Sequence, residues 1–200
     1  DPLGRGERKE QDRPDAWGVP IMDEELPELV LPLEDRDHVV GPLSARHTLV
    51  EYGDYESPHC RNVVGTVREL IRELGDDLCF AFRNYPQPKI HPHSEAAAEA
   101  AEAAGLQGKF WLMHDRLFDH QGELGDPEIR SIAAGLPVDM RVFERDLASG
   151  EAARKVADDV ELADEDGVGD TPTFFVNGTL HVGLYEFLPL LQALQSPAKK

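Results

Sequence analysis

Apolar positions switch between two rhythms along this chain, and the order of the switches predicts its architecture. Leu49, Val50 and Tyr52, within Thr48-Leu49-Val50-Glu51-Tyr52-Gly53, mark a buried strand. After Cys60 the period lengthens. Val63, Val64, Val67, Leu70, Ile71 and Leu74 recur at the spacing of one helical stripe, and Gly75 falls just past its end, where helices commonly stop on glycine. Leu78 to Tyr85 returns to a strand, with Cys79 in its apolar interior. Strand, helix and strand in that order predict a βαβ unit with parallel strands and a right-handed crossover.

From Pro86 to Gly167 the pattern is helical. Ser94 is placed to cap an alanine-rich helix that closes at Gly105. Phe110, Met113, His114, Leu117 and Phe118 share a second helical face. Asp126-Pro127-Glu128 reads as a third start, with a capping carboxylate and proline at the first helical position. Asp139 caps a fourth helix that ends near Gly150. Glu151 to Asp166 forms a fifth, with Ala152, Val156, Val160 and Ala163 inward. Thr173-Phe174-Phe175-Val176 and Thr179-Leu180-His181-Val182 then flank Asn177-Gly178, a strong hairpin signal. Tyr185 to Gln195 closes the chain as a helix with Phe187, Leu188, Leu191 and Leu194 on one face.

The expected class is therefore α/β: βαβ, then ββα, with an inserted helical subdomain. The organisation reads as a charged, proline-rich extension or linker over 1–37, an α/β domain over 38–85 and 168–196, and a helical insertion over 86–167. Within the extension, Asp1 to Pro14 reads as disordered or as tag and linker. Ile21 to Leu33, with Met22, Leu26, Leu29 and Val30 broken by Pro27 and Pro32, reads as an irregular strap against the domain.

Charge narrows the partners. A net charge of −19 repels phosphate backbones and disfavours anionic lipid, so nucleic acid is not expected. No apolar run approaches the roughly 18 residues of a membrane-spanning helix. No signal peptide is visible, but the chain starts at Asp1 rather than Met, which reads as a processed start or a piece of a longer protein. With two cysteines, a disulfide-rich scaffold is excluded, and Cys60 and Cys79, at a helix start and in a strand interior, are not expected to bridge. Cys79 reads as a small core hydrophobe. His91, His93, His114 and His120 do not match helical ligand spacing, so no metal is expected. Asp76-Asp77 and Asp164-Glu165-Asp166 read as solvated charge. There is no glycine-rich phosphate loop and no Gly-x-Ser-x-Gly elbow.

The candidate chemistry lies at Ser57-Pro58-His59-Cys60, between the first strand and its helix. Two cysteines in that arrangement would form a thiol–disulfide site, because a helix N-terminus stabilises a thiolate. Here the first sulfur is replaced by oxygen. A hydroxyl neither ionises near neutral pH nor forms a disulfide, so this chain alone cannot cycle a dithiol. Ser57 also suits a plain helix N-cap. The helix end pulls the Cys60 pKa down and burial opposes that shift. His59, with no anion beside it, reads as an exposed loop histidine.

The element order, together with Asp54-Tyr55-Glu56-Ser57-Pro58-His59-Cys60, Asn84-Tyr85-Pro86, His91-Pro92-His93, Gly108-Lys109-Phe110-Trp111 and Gly169 to Thr173, resembles the DsbA-like family of thioredoxin-fold proteins over residues 38–195. The stretch Asp37-His38 through Gly41-Pro42 is similar to thioredoxin-like domains fused behind bacterial sodium/proton antiporters. The resemblance implies that position 57 holds the attacking cysteine in relatives, that Cys60 resolves, and that Pro58 and His59 tune the thiolate. It implies a cis Thr171-Pro172 bond facing the active turn, whose backbone pairs with an extended peptide. A second resemblance, to kappa-class glutathione transferases and hydroxychromene carboxylate isomerases, rests on serine at position 57 and implies a bound glutathione thiolate. Three readings follow: a redox-impaired binding or regulatory module, possible tethering to a membrane transporter included; a glutathione-dependent or one-thiol enzyme; and an active disulfide oxidoreductase carrying a Cys-to-Ser change at Ser57. An antiporter-fused domain would be cytoplasmic, and one that had lost a signal peptide periplasmic or extracytoplasmic.

Overall fold

The computed structural model describes residues 26–196, and the readings made for residues 1–25 lie outside it. Five strands form one sheet in the order β1-β3-β2-β4-β5. β2 (His47–Gly53) and β3 (Leu78–Asn84) lie parallel at its centre. Both are buried along nearly their whole length, as parallel strands covered on two faces must be. They are joined by α1 (Pro58–Leu74), whose Val63, Val67 and Leu70 are buried, and which stops at Gly75 with φ 51°. The βαβ expectation is met.

β1 (His38–Val40) adds antiparallel to β3, and β4 (Thr173–Val176) antiparallel to β2. β5 (Thr179–Leu180) pairs with β4 through Asn177 (φ 50°) and Gly178 (φ 87°), the two left-handed residues a tight hairpin turn requires. β5 is shorter than expected: His181 still donates its N–H to the Phe174 carbonyl at 2.8 Å, and the strand goes no further. β1 was not foreseen, since three residues carry no readable alternation.

Between β3 and β4 run α2 (Ser94–Gly105), α3 (Phe110–Asp119), α4 (Asp126–Ala134), α5 (Met140–Ser149) and α6 (Glu151–Glu165). α7 (Phe187–Gln195) follows the hairpin. The strands divide their side chains between two cores. Leu49, Phe80, Phe82 and Phe174 pack with α1, α7 and the inserted helices. Val50, Tyr52, Ala81 and Phe175 pack on the other face with Ala163 and Val168, closed by Leu29 and Leu33 of the strap.

The strap is fastened by polar groups. Leu29 N–H donates to the Gly178 carbonyl and Leu180 N–H to that of Pro27, each at 2.8 Å, so the free edge of β5 is covered. Fully buried Arg83 donates to Asp37 (2.8 Å), to the Tyr52 hydroxyl (3.0 Å) and to the Leu31 carbonyl (3.1 Å). The Tyr52 hydroxyl in turn donates to Asp166 at 2.6 Å, and Val30 N–H donates to the same carboxylate.

Several local expectations change. Asp166 is buried in that network rather than solvated, while Asp76 and Asp77 are exposed. Ser94 sits inside the first turn of α2, its hydroxyl donating to the His91 carbonyl instead of capping. Asp126 likewise lies one residue inside α4, whose cap position is Gly125. Asp139 does cap α5, accepting from Arg141 and Val142 N–H. Val160 is half-buried, and α7 buries Leu190 and Leu194 while Leu188 stays exposed. Proline at 189 does not break α7, because it falls within the first turn, where its missing N–H costs no helical bond.

Candidate functional site

The turn that opens α1 is built by a carboxylate just upstream of it and by groups far downstream in the chain. Asp54, buried, accepts from Glu56 N–H (2.8 Å) and Gln87 N–H (2.9 Å), and pairs with His91 Nδ1 at 2.8 Å. Gln121, just past α3, donates from Nε2 to the carbonyls of Tyr55 and Ser57, each at 2.8 Å. The inserted helices thus grip the active turn from outside. Tyr55 itself is buried against Phe82 and Phe118, and its hydroxyl meets His114 Nδ1 at 3.1 Å.

Ser57 is the N-cap of α1, extended at φ −71° and ψ 117°, with Pro58 preset for the first helical position. Its hydroxyl accepts from Cys60 N–H at 3.4 Å and donates to the Thr171 carbonyl at 3.4 Å. The Thr171-Pro172 bond is cis, as the resemblance implied. Thr171 N–H is taken by the Asp170 carboxylate at 2.7 Å. The structure therefore brings Ser57, Cys60, Thr171 and Pro172 together. Pro58 and His59 are exposed, and His59 belongs to the first helical turn rather than to a loop.

Cys60 is fully buried, and its sulfur accepts from Asp54 N–H at 3.4 Å. Burial, and then the nearby Glu51 carboxyl, push its thiol up to about 12; the bonds from Asp54 N–H and Ser57 offset only part of this. The contest between helix end and burial is won by burial. Cys79 is also free and buried, and burial raises its thiol too. Both thiols of the native chain should therefore stay silent to a disulfide reagent at about pH 8 and appear together on denaturation. Counting released thionitrobenzoate in buffer and in guanidinium checks this. One fast thiol in buffer would contradict the burial of Cys60.

Glu51 escaped the sequence reading. It sits in the middle of β2, fully enclosed, and burial lifts its carboxyl to about 8, leaving Oε1 without a hydrogen-bond partner. A Cβ at Gly53 would lie 3.3 Å from that oxygen and 2.4 Å from the Phe82 ring, so glycine keeps the space under the turn open. The signal that could have found Glu51 was present: a charged residue inside a strand whose neighbours on both faces are apolar.

The segment after β5 presents apolar side chains to solvent. Val182, Leu184 and Leu188 are 71%, 64% and 62% exposed. Between them Tyr185 packs on Phe174, and its hydroxyl is raised by burial and then by Asp170, Cys60 and Glu51. The four histidines do not meet: His114 lies in an aromatic cluster, His120 bonds the Arg116 carbonyl, His91 bonds Asp54 and His93 is exposed. Among the described residues no three histidine, cysteine or carboxylate side chains converge closely enough to hold a metal ion.

Comparison with known proteins places these features. The family model described as Thioredoxin matches residues 34–194. The Na(+)/H(+) antiporter NhaA 1 of Salinispora arenicola is 44% identical over 176 residues, which cover 88% of this chain and 27% of the antiporter. The chain thus spans about a quarter of the length of that relative. A thioredoxin-like oxidoreductase from Silicibacter pomeroyi superposes with a TM-score of 0.72 at 28% identity, covering 80% of this chain and 91% of its own. The thiol-disulfide exchange protein alpha-DsbA2 from Wolbachia pipientis shares the fold at a TM-score of 0.72 and 22% identity, covering 80% and 87%.

Proposed function

This chain belongs to the Thioredoxin family, and on that premise we propose that it is a DsbA-like, redox-impaired member acting as a binding or regulatory module. The observation that carries the reading is the Ser57 hydroxyl, held between Cys60 N–H and the Thr171 carbonyl where exchange requires a sulfur. With its thiol pushed to about 12, Cys60 is thiolate in roughly one molecule in 10⁵ near pH 7, so it does not replace the missing nucleophile. The apolar lip at Val182, Leu184 and Leu188 is independent of the redox atoms. It suits an extended protein segment that places apolar side chains beside Pro172. The two backbone groups of Thr171 are occupied by Ser57 and Asp170, so such a segment must exchange those bonds or bind through its side chains. The antiporter relatives support a tethered role, in which the module reports on or restrains a transporter joined to it.

Titration of the chain with an apolar peptide of about ten residues, followed by amide shifts, tests the reading. Shifts at 171–172 and 182–188 are expected, with binding weakened at least tenfold by Val182→Ser combined with Leu184→Ser, since each loses most of an apolar side chain's burial. Insulin reduction by the unmodified chain should stay at background. Glutathione binding displaced by Ser57→Ala would instead support a thiol-holding site, and glutathione-driven turnover would overturn the module reading.

A further inference from the structure

We propose that the groove between α2, α6 and the loop after β3 is a docking surface for a basic amphipathic helix of a partner protein, separate from the Ser57–Pro172 site. The groove has a volume of about 710 Å³. Its floor is apolar. Ala153, Val156, Ala157 and Val160 recur along α6 at the spacing of one helical stripe, and Pro86 closes one end. The two alanines allow the backbone of a second helix to approach closely. α6 thus presents two faces: Ala152, Val156 and Ala163 inward, and a second stripe, sharing Val156, that lines the groove and is left open by the described residues.

The rim of the groove is acidic throughout. Glu95 and Glu99 stand one turn apart on α2, facing Glu161, Asp164 and Glu165 of α6. Among the described residues no lysine or arginine lines the groove, and none of these five carboxylates takes part in an ion pair. Of the two cations beside the stripe in sequence, Arg154 is exposed and Lys155 is committed to Asp159. The Asp164 carboxylate accepts from the Tyr85 hydroxyl. Glu99 is half-buried, and burial, followed by the charge of Glu95, raises its pKa. A carboxylate held partly out of water beside another is what an arriving cation relieves.

Two features of the groove choose among cationic ligands. The carboxylates are spread along the rim rather than converging, and among the described residues no set of them could hold a metal ion. The apolar floor gives nothing to a naked polyamine. A helix with leucine-like residues at i, i+3, i+4 and i+7 and lysine or arginine on its flanks satisfies both.

The test uses the whole chain and a synthetic amphipathic peptide of about 15 residues, leucines on one face and lysines flanking them. It should bind, moving amides of α2 and α6, and weaken as salt rises from about 0.05 to 0.5 M. The triple variant Glu99→Gln, Glu161→Gln, Glu165→Gln, its helicity checked by circular dichroism, should lose about tenfold in affinity. Val182→Ser with Leu184→Ser should leave this binding unchanged, which separates it from the site beside Pro172. The proposal is overturned if the lysine peptide does not bind, if its glutamate counterpart or a leucine-free polylysine binds equally, if the triple variant retains full affinity, or if the shifts fall at 182–188.

Discussion

The chain carrying Ser57→Cys is expected to reduce insulin in the presence of dithiothreitol at least about a hundredfold faster than the parent chain, which should not exceed background. The substitution exchanges one atom at an N-cap whose surroundings suit a thiolate. Cys60 N–H already donates to that position. The first turn of α1 carries no acidic residue, so the partial positive charge of the helix start is not opposed within the helix. A thiol placed there should ionise below its ordinary range. Cys60 lies one helical turn on, behind it, in the place from which a resolving sulfur attacks. Adding Cys60→Ser to Ser57→Cys should return turnover to background while leaving a single reactive thiol. If Ser57→Cys proves as inert as the parent, the turn has lost more than its sulfur, and the third reading of the sequence falls with it.

The parts of this molecule that could be read from sequence are those in which one short window fixes the answer. The stripe from Val63 to Leu74 allows only one helix face, and Asn177-Gly178 allows only a tight turn, and both stand as expected. The turn at Ser57 was legible for the same reason. What could not be read depends on distant partners. Asp166 sits in an acidic triplet that looks solvated, yet its carboxylate is buried by Tyr52 and Val30, 114 and 136 residues away. Glu51 can be noticed as a charge among apolar strand neighbours, but that it is enclosed, near Phe82 and Cys60, depends on residues brought from elsewhere in the chain. Spacing puts Leu188 on one face with Phe187, Leu191 and Leu194, whereas the helix turns so that Leu190 and Leu194 meet the core and Leu188 stays exposed. The inserted helices supplied a further surprise: Gln121, unremarkable in sequence, holds the two carbonyls that set the active turn.

Stability should be greatest between about pH 4.5 and 6.5, and the two groups that set those limits act with opposite sign. Burial, ahead of the charges of Arg68 and His38, lowers His114 to about 3. The folded chain keeps it neutral while the unfolded chain protonates it below about 6.5, so stability is lost as pH falls from there toward 3. Glu51 behaves in reverse. Burial raises it to about 8, the unfolded chain ionises it from about 4.5 upward, and stability is lost as pH rises from 4.5 to 8. Between those values the slopes largely cancel. Each shift is worth at most about 4–5 kcal/mol. Asp159, raised chiefly by burial, adds a fall of the same sign as Glu51, and Cys60 extends it above about pH 9. Glu51→Gln keeps the shape of the protonated carboxyl and removes its titration. Urea unfolding of that variant should follow the parent below about pH 4.5, gain stability from 4.5 to 6.5 where the parent is level, and then hold nearly level to pH 8, where the parent declines by about 2 kcal/mol. Parallel profiles for the two chains across that interval would mean that Glu51 is already ionised in the fold, with a cation or water reaching it beneath the turn.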